Sequence, residues 1–268
     1  MNKILEVKNL TKKFGDFTAV NSISFIIEKG EIFGVVGPNG AGKTTTIKIL
    51  STLLPLTSGW AVIGGFDVHK YPSKVRRIIG YVPQLLSADG NLTGYENLLI
   101  FAKLYDIPRG EREKRINDAI QFMDLSEAAN KLVKHYSGGM IRRLEIAQAV
   151  LHNPLILFLD EPTVGLDPLA RESVWEYVRI LAEKGTTILM TTHYMEEADA
   201  MCDRLLILNK GNVAAIGSPE ELKKSIGSVN ESLNDVYEFY VGKSMETEES
   251  GGNFKDVSRT RRAARRLG

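Results

Sequence analysis

Residues 37–44 read Gly37-Pro38-Asn39-Gly40-Ala41-Gly42-Lys43-Thr44, set between the β-rich apolar run Glu31-Ile32-Phe33-Gly34-Val35-Val36 and Thr45-Thr46-Ile47-Lys48-Ile49-Leu50. The first flank reads as a short strand and the second as a helix with an apolar face. Glycines between them let successive backbone amides fold around one point, and the helix that follows turns its positive dipole end toward it. Such a turn holds phosphate. The spacing predicts a nucleoside triphosphate site in which residues 37–45 cradle the phosphates, Lys43 reaches the β/γ-phosphates and Thr44 ligates Mg²⁺. A strand feeding this loop and a helix leaving it restrict the fold to the α/β class.

The rest of the chain fits that class with two additions. Residues 5–10 alternate apolar and polar, and residues 20–27 repeat the period around Ile23 and Phe25, so an antiparallel β element precedes the phosphate loop. Strands are expected at 60–63 and 78–82. Residues 93–152 are helical almost throughout, starting at a capping box of Thr93 and Glu96. From Leu155 the strand and helix alternation returns, with helices starting at Asp167-Pro168 and Ser218-Pro219, each an N-cap followed by proline. We therefore expect a phosphate-loop NTPase core with a mixed, largely parallel sheet, an N-terminal antiparallel β element and an inserted helical subdomain.

Composition narrows the functional classes. The chain has 268 residues, 43% apolar content and a formal net charge of +1, enough for a proper core and too balanced for a dedicated nucleic-acid binder. Its one cysteine, Cys202, cannot form an internal disulfide and reads as a packed core thiol. With no signal peptide and no apolar run near 18 residues, a cytoplasmic location is expected.

A second constellation carries chemistry. Leu155-Ile156-Leu157-Phe158-Leu159 is a buried strand that ends in two adjacent carboxylates. Asp160 at its C-terminal end is placed to hold Mg²⁺, and Glu161 to polarise an attacking water. A solvated acidic loop after a core strand is the bland alternative, and the phosphate loop upstream weighs against it.

Here the sequence resembles the ATP-binding subunits of ABC transporters over residues 3–225. Tyr136-Ser137-Gly138-Gly139-Met140 is similar to that family's signature, Leu-Ser-Gly-Gly-Gln, with Tyr136 and Met140 departing from it. The resemblance implies further roles. Phe14 would stack on adenine, Gln84 would sense Mg²⁺ and the attacking water while coupling to the membrane domain, and residues 165–167 would communicate between subunits. His193 would contact the γ-phosphate. Ser137, Gly138 and Gly139 of one chain would complete the phosphate loop of another, so two copies, or one copy and a paralogous ATP-binding subunit, would sandwich ATP. A membrane-spanning permease subunit is the implied partner, at the inner face of the cell membrane.

Residues 232–240 resemble a short segment found in subunits of drug, polyketide and polysaccharide exporters, with Asn234 where those carry glutamate. Leu233, Val236, Tyr237 and Tyr240 recur there at helical spacing, which reads first as a packing helix. The expected organisation is an ATP-binding domain at 1–225, a helical extension at 226–243, and a disordered tail at 244–268, acidic and then arginine-rich. The five arginines of residues 259–266 read as a solvated tail or as a contact for anionic lipid. A soluble ABC-type ATPase uncoupled from transport is the rival reading. The chain has neither the two units of translation factors nor the coiled coil of chromosome-associated relatives. A kinase or GTPase is opposed by residues 136–140 and by His193.

Overall fold

The computed structural model describes residues 3–227 and 232–249, with side chains to residue 242. Four runs of apolar residues become the strands β3 (Ile32–Val36), β7 (Ile156–Asp160), β8 (Thr187–Thr192) and β9 (Arg204–Asn209). Strands this continuously apolar must be covered on both faces, and alternate residues enter two separate cores. Val36, Leu157, Leu159, Ile188, Met190, Leu205 and Ile207 pack toward one face. Phe33, Val35, Ile156, Phe158, Leu189, Leu206 and Leu208 pack toward the other.

These strands join β6 (Ile79–Val82) and β10 (Asn212–Gly217) in a six-stranded sheet ordered β10-β9-β3-β8-β7-β6. All neighbours are parallel except β10 against β9. The mixed sheet expected from the sequence is therefore present. A second sheet, ordered β2-β1-β4-β5, covers one face with strands β1 (Lys3–Phe14), β2 (Phe17–Glu28), β4 (Ser58–Ile63) and β5 (Phe66–Asp67). Its pairs are antiparallel. β1 and β2 are longer than their alternating stretches suggest. Register shifts interrupt the ladder between Val7 and Leu10 and beyond Leu10, so pairing continues where the simple period of two is lost.

Helices α1 (Lys43–Leu50) and α2 (Pro72–Ile78) lie with the antiparallel sheet, whereas α3 (Gly94–Leu104), α4 (Arg109–Phe122) and α5 (Gly138–Val150) form the helical region between β6 and β7. The Thr93–Glu96 capping box forms at the start of α3. α6 (Pro168–Glu183) begins at Asp167, whose side chain accepts from the Ala170 amide, and α8 (Pro219–Ser225) begins at a second capping box of Ser218 and Glu221. α7 (Met195–Met201) follows β8.

α9 (Leu233–Glu249) differs from the expected extension at both ends. Ile226 and Gly227 form a turn outside any helix, and the helix runs past residue 243. Met245, Glu246, Glu248 and Glu249 are good helix formers with no proline among them, so local propensity favours a helix that continues past residue 243. The remainder of the tail, including the arginines at 259–266, lies outside the described residues. Leu233 and Val236 are fully buried, and Tyr237 and Tyr240 pack on the same core, as a packing helix requires.

Candidate nucleotide site

Parallel strands bring all their C-terminal ends to one edge of the sheet, and the residues singled out in the sequence follow those ends. Register pairs Val36 with Thr192, Asp160 with Thr191 and Val82 with Leu159. The phosphate loop after β3, Gln84 after β6, Asp160-Glu161 at the end of β7 and His193 after β8 are thus neighbours although up to 156 residues separate them. A cleft of about 460 Å³ opens there, lined by Phe14, Phe17, Asn39, Gly40, Ala41, Gly42, Lys43, Thr44, Thr45, Gln84 and Glu161 among others.

The loop has the shape its glycines predict. Gly40 and Gly42 take φ of 82° and 104°, conformations that favour glycine. A Cβ on Gly42 would lie 2.6 Å from the Ala19 carbonyl oxygen, and one on Gly37 would lie 2.3 Å from that of Leu208. No side chain caps the start of α1, so its first amides are free to face an anion in the cleft. The loop turns back on Lys43, whose Nζ donates to the carbonyls of Gly37 at 2.9 Å and Pro38 at 3.3 Å. The same ammonium lies 3.3 Å from Glu161 Oε1, with both side chains about 5% exposed.

Asp160 and Glu161 separate into two roles. Asp160 Oδ1 accepts from the hydroxyls of Thr191 at 2.7 Å and Thr44 at 3.1 Å. Burial pushes the Asp160 carboxyl up, while those two hydroxyls and Lys48 pull it down. Its charge also reaches the Tyr81 phenol, which burial and then Asp160 push up to about 12. Glu161 points the other way because its backbone lies in the left-handed region at φ 48°, a strain on the order of 1–3 kcal/mol for a non-glycine residue. Its amide is held by Thr191 Oγ1 at 2.9 Å. The carboxylate then meets three groups: Lys43, the Gln84 Nε2 that donates to Oε2 at 3.1 Å, and His193 Nδ1 at 3.3 Å from Oε2. The His193 contact is close without hydrogen-bond geometry, so it is a close approach rather than a formed bond.

The remaining expectations fall elsewhere. Ser137 is exposed, caps α5 by accepting from the Met140 amide at 3.3 Å, and does not line the cleft of its own chain. Gly138 and Gly139 sit against Leu166 and Ala170, where a Cβ on Gly139 would come within 2.8 Å of Ala170. The two departures from the signature are structural. Tyr136 is buried and donates to the Ala128 carbonyl at 2.6 Å, and Met140 packs on the core. Cys202 is buried beneath Gly34, and burial raises its thiol well above the usual range.

Phe17 and Thr191 complete the site without having been singled out in the sequence. Phe17 faces Phe14 across the turn at Gly15-Asp16, and a two-residue turn beginning with glycine is the signal that marks such a hairpin. Thr191 is one of three buried threonines in β8, and a buried hydroxyl asks for a partner.

The sequence profile of the ABC transporter family matches residues 20–164, which include the phosphate loop and both carboxylates. The chain belongs to the ABC transporter family. It is 42% identical over 224 residues to the linearmycin resistance ATP-binding protein LnrL of Bacillus subtilis, spanning 84% of this chain and 72% of that protein. It is 43% identical over 226 residues to the daunorubicin/doxorubicin resistance ATP-binding protein DrrA of Streptomyces peucetius, spanning 84% and 68% respectively. The fold matches a solved ATP-binding subunit of an ABC transporter with a TM-score of 0.80 at 31% identity, over 88% of this chain and 99% of that one. It also matches a dimeric ATP-binding cassette, MJ0796, bound to ADP and Pi, with a TM-score of 0.72 at 30% identity, over 80% and 98%. As an ABC family member, the chain is an ATP-binding and ATP-hydrolysing transporter subunit. No helix among the described residues is long and apolar enough to cross a membrane.

Proposed function

We propose that this subunit powers an exporter by closing as a dimer on ATP and reopening after hydrolysis. The observation that carries the reading is Glu161, a buried carboxylate turned by a left-handed backbone toward Lys43, Gln84 and His193 at once. In this reading residues 37–45 bind the triphosphate through backbone amides, Lys43 balances the β/γ-phosphate charge, and Phe14 faces adenine with Phe17 beside it. The donor set fits a magnesium ion: one hydroxyl, Thr44, and one carboxylate, Asp160, already 3.1 Å apart, with phosphate oxygens supplying further ligands. When bound, such an ion would offset charge on the β- and γ-phosphates. Glu161 accepts a proton from water, Gln84 orients that water, and His193 lies on the γ-phosphate side.

Ser137, Gly138 and Gly139 act on the other copy. They are presented at the N-terminus of α5, away from the cleft of their own chain, which suits an anion brought by a second subunit or a paralogue. The membrane-spanning partner is felt through the segment after Gln84, where Leu85 is 81% exposed and Leu86 51%. Resistance and export are named for the relatives, and the same class of cargo is proposed for this chain. Placement at the inner face of the membrane follows from that partnership, and the arginines of 259–266 would add attraction to anionic lipid.

Replacing Glu161 by Gln tests the reading. It keeps size and shape and removes the proton acceptor, so MgATP should still bind while turnover falls about 10²–10⁴-fold. Phosphate release at the parent rate would remove Glu161 from the chemical step.

A further inference from the structure

Three polar residues on one stripe of α5 are almost completely buried: Arg142 at 1% exposure, Glu145 at 3% and Gln148 at 2%. Their spacing of three places them on one face. An apolar stripe would hold this helix to the core at lower desolvation cost, because a buried ion pair seldom repays its dehydration. The stripe instead grips one segment, residues 83–93, along its length.

Arg142 Nη1 donates to the Pro83 carbonyl at 2.7 Å and to Glu145 Oε2 at 2.9 Å, and Nη2 donates to the Gln84 carbonyl at 2.9 Å. Glu145 Oε1 accepts from the Ser87 amide and hydroxyl and from the Ala88 amide. Gln148 donates to Asn97 Oδ1 at 3.3 Å, and Asn97 in turn accepts from the Asp89 amide and donates to the carbonyls of Asp89 and Thr93. Polar groups of a connecting segment that normally face water are here bonded to one helix, directly or through Asn97. Ser137 caps the start of that helix, and Gln84, second in the segment, donates to Glu161.

We propose that Arg142, Glu145 and Gln148 are positioning residues that lock the Gln84 segment to α5, so that the signature end of the helix and the carboxamide on Glu161 move as one body. The inference rests on the ATPase reading above and extends it to three residues that do not line the nucleotide cleft. Loss of the lock frees Gln84 from Glu161 while leaving Lys43 and the phosphate loop intact. The chemical step then suffers and nucleotide binding does not.

The test uses the full-length chain and MgATP, with Glu145→Ala, Glu145→Gln, Gln84→Ala and the Glu145→Ala/Gln84→Ala double variant. Circular dichroism establishes that each is folded. Glu145→Ala should lower kcat at least tenfold with MgATP affinity within twofold of the parent by calorimetry, and Glu145→Gln, which keeps an acceptor oxygen, should fall between. In the Gln84→Ala background, Glu145→Ala should cost less than a further twofold. Hydrogen exchange reads the lock without turnover: the amides of Ser87 and Ala88 should exchange faster in Glu145→Ala. Independent, multiplicative losses of kcat, or a loss of nucleotide affinity matching the loss of rate, would overturn the proposal. If Glu145→Ala fails to fold, Glu145→Gln carries the same comparisons in both backgrounds. A parent that binds MgATP without hydrolysing it would defeat the catalytic reading of Gln84, whereas unchanged exchange at 87–88 in a folded variant would defeat the lock itself.

Discussion

Lys43 and Glu161 form a buried pair of opposite charge at 3.3 Å, and the two substitutions separate their roles. Lys43→Ala removes the cation proposed to balance the β/γ-phosphates and leaves Glu161 as an uncompensated buried charge, so both binding and folding should suffer. Loss of one such phosphate contact is worth roughly 3–4 kcal/mol, which makes MgATP affinity fall by more than 100-fold in calorimetry. An unchanged affinity would remove the phosphate-loop assignment. Melting of Lys43→Ala should be restored in part by adding Glu161→Gln, which takes away the stranded charge. Gly42→Ala tests the same loop through its backbone. At φ 104° and 2.6 Å from the Ala19 carbonyl, a methyl there must displace β2 or the loop. Nucleotide binding is expected to be lost with the α/β fold retained by circular dichroism.

The junction between the helical region and the sheet runs through His152, just beyond α5. Its ring stacks on Tyr105 with centroids 3.7 Å apart, and its Nε2 bonds the Ile79 carbonyl at 2.9 Å. Burial pushes the imidazole below its ordinary value of 6.5, with the Ile79 bond opposing in part. The neutral form is favoured on folding, so on acidification the unfolded chain takes up the proton first. The contribution is therefore whole above about pH 6.5 and is lost as pH falls toward the lowered folded value. His152→Phe keeps the ring stack and removes the titration. Its melting temperature should change less between pH 7.5 and 5.5 than that of the parent, and equal slopes would assign the acid sensitivity to carboxylates alone. At the start of α6, Asp167→Ala deletes the bond to the Ala170 amide and should cost about 1 kcal/mol in denaturant unfolding.

For the whole molecule, Ser137 and Gly138 are exposed and lie outside the lining of the cleft of about 460 Å³, and in the proposed dimer they would complete the cleft of a second copy. Glu161→Gln with MgATP should therefore accumulate as a dimer in light scattering, and adding Ser137→Arg should return it to monomer by placing bulk and charge at the interface. A Glu161→Gln dimer unaffected by Ser137→Arg would place the contact elsewhere. The solved dimeric cassette shares this fold at 30% identity.

Local rules carried much of this protein. The phosphate loop, the capping residues Thr93, Asp167 and Ser218, and the apolar strand that ends in Asp160 were all legible, because glycine spacing, side-chain caps and apolar runs are properties of a few adjacent residues. Phe17 and Thr191 were less visible, since the hairpin that pairs Phe17 with Phe14 and the strand pairing that brings Thr191 to Asp160 join residues through space. The polar stripe of Arg142, Glu145 and Gln148 has no local signature at all, for nothing in its spacing says that residues 83–93 will lie against it. The end of α9 was misplaced because helix propensity outlasts the apolar pattern used to bound it. Tertiary structure alone decided the strand order that sets β8 between β3 and β7, and with it the meeting of Lys43, Glu161 and His193. Parallel pairing puts every strand's C-terminal end on one edge of the sheet, but only the packing of both sheet faces fixes which ends become neighbours.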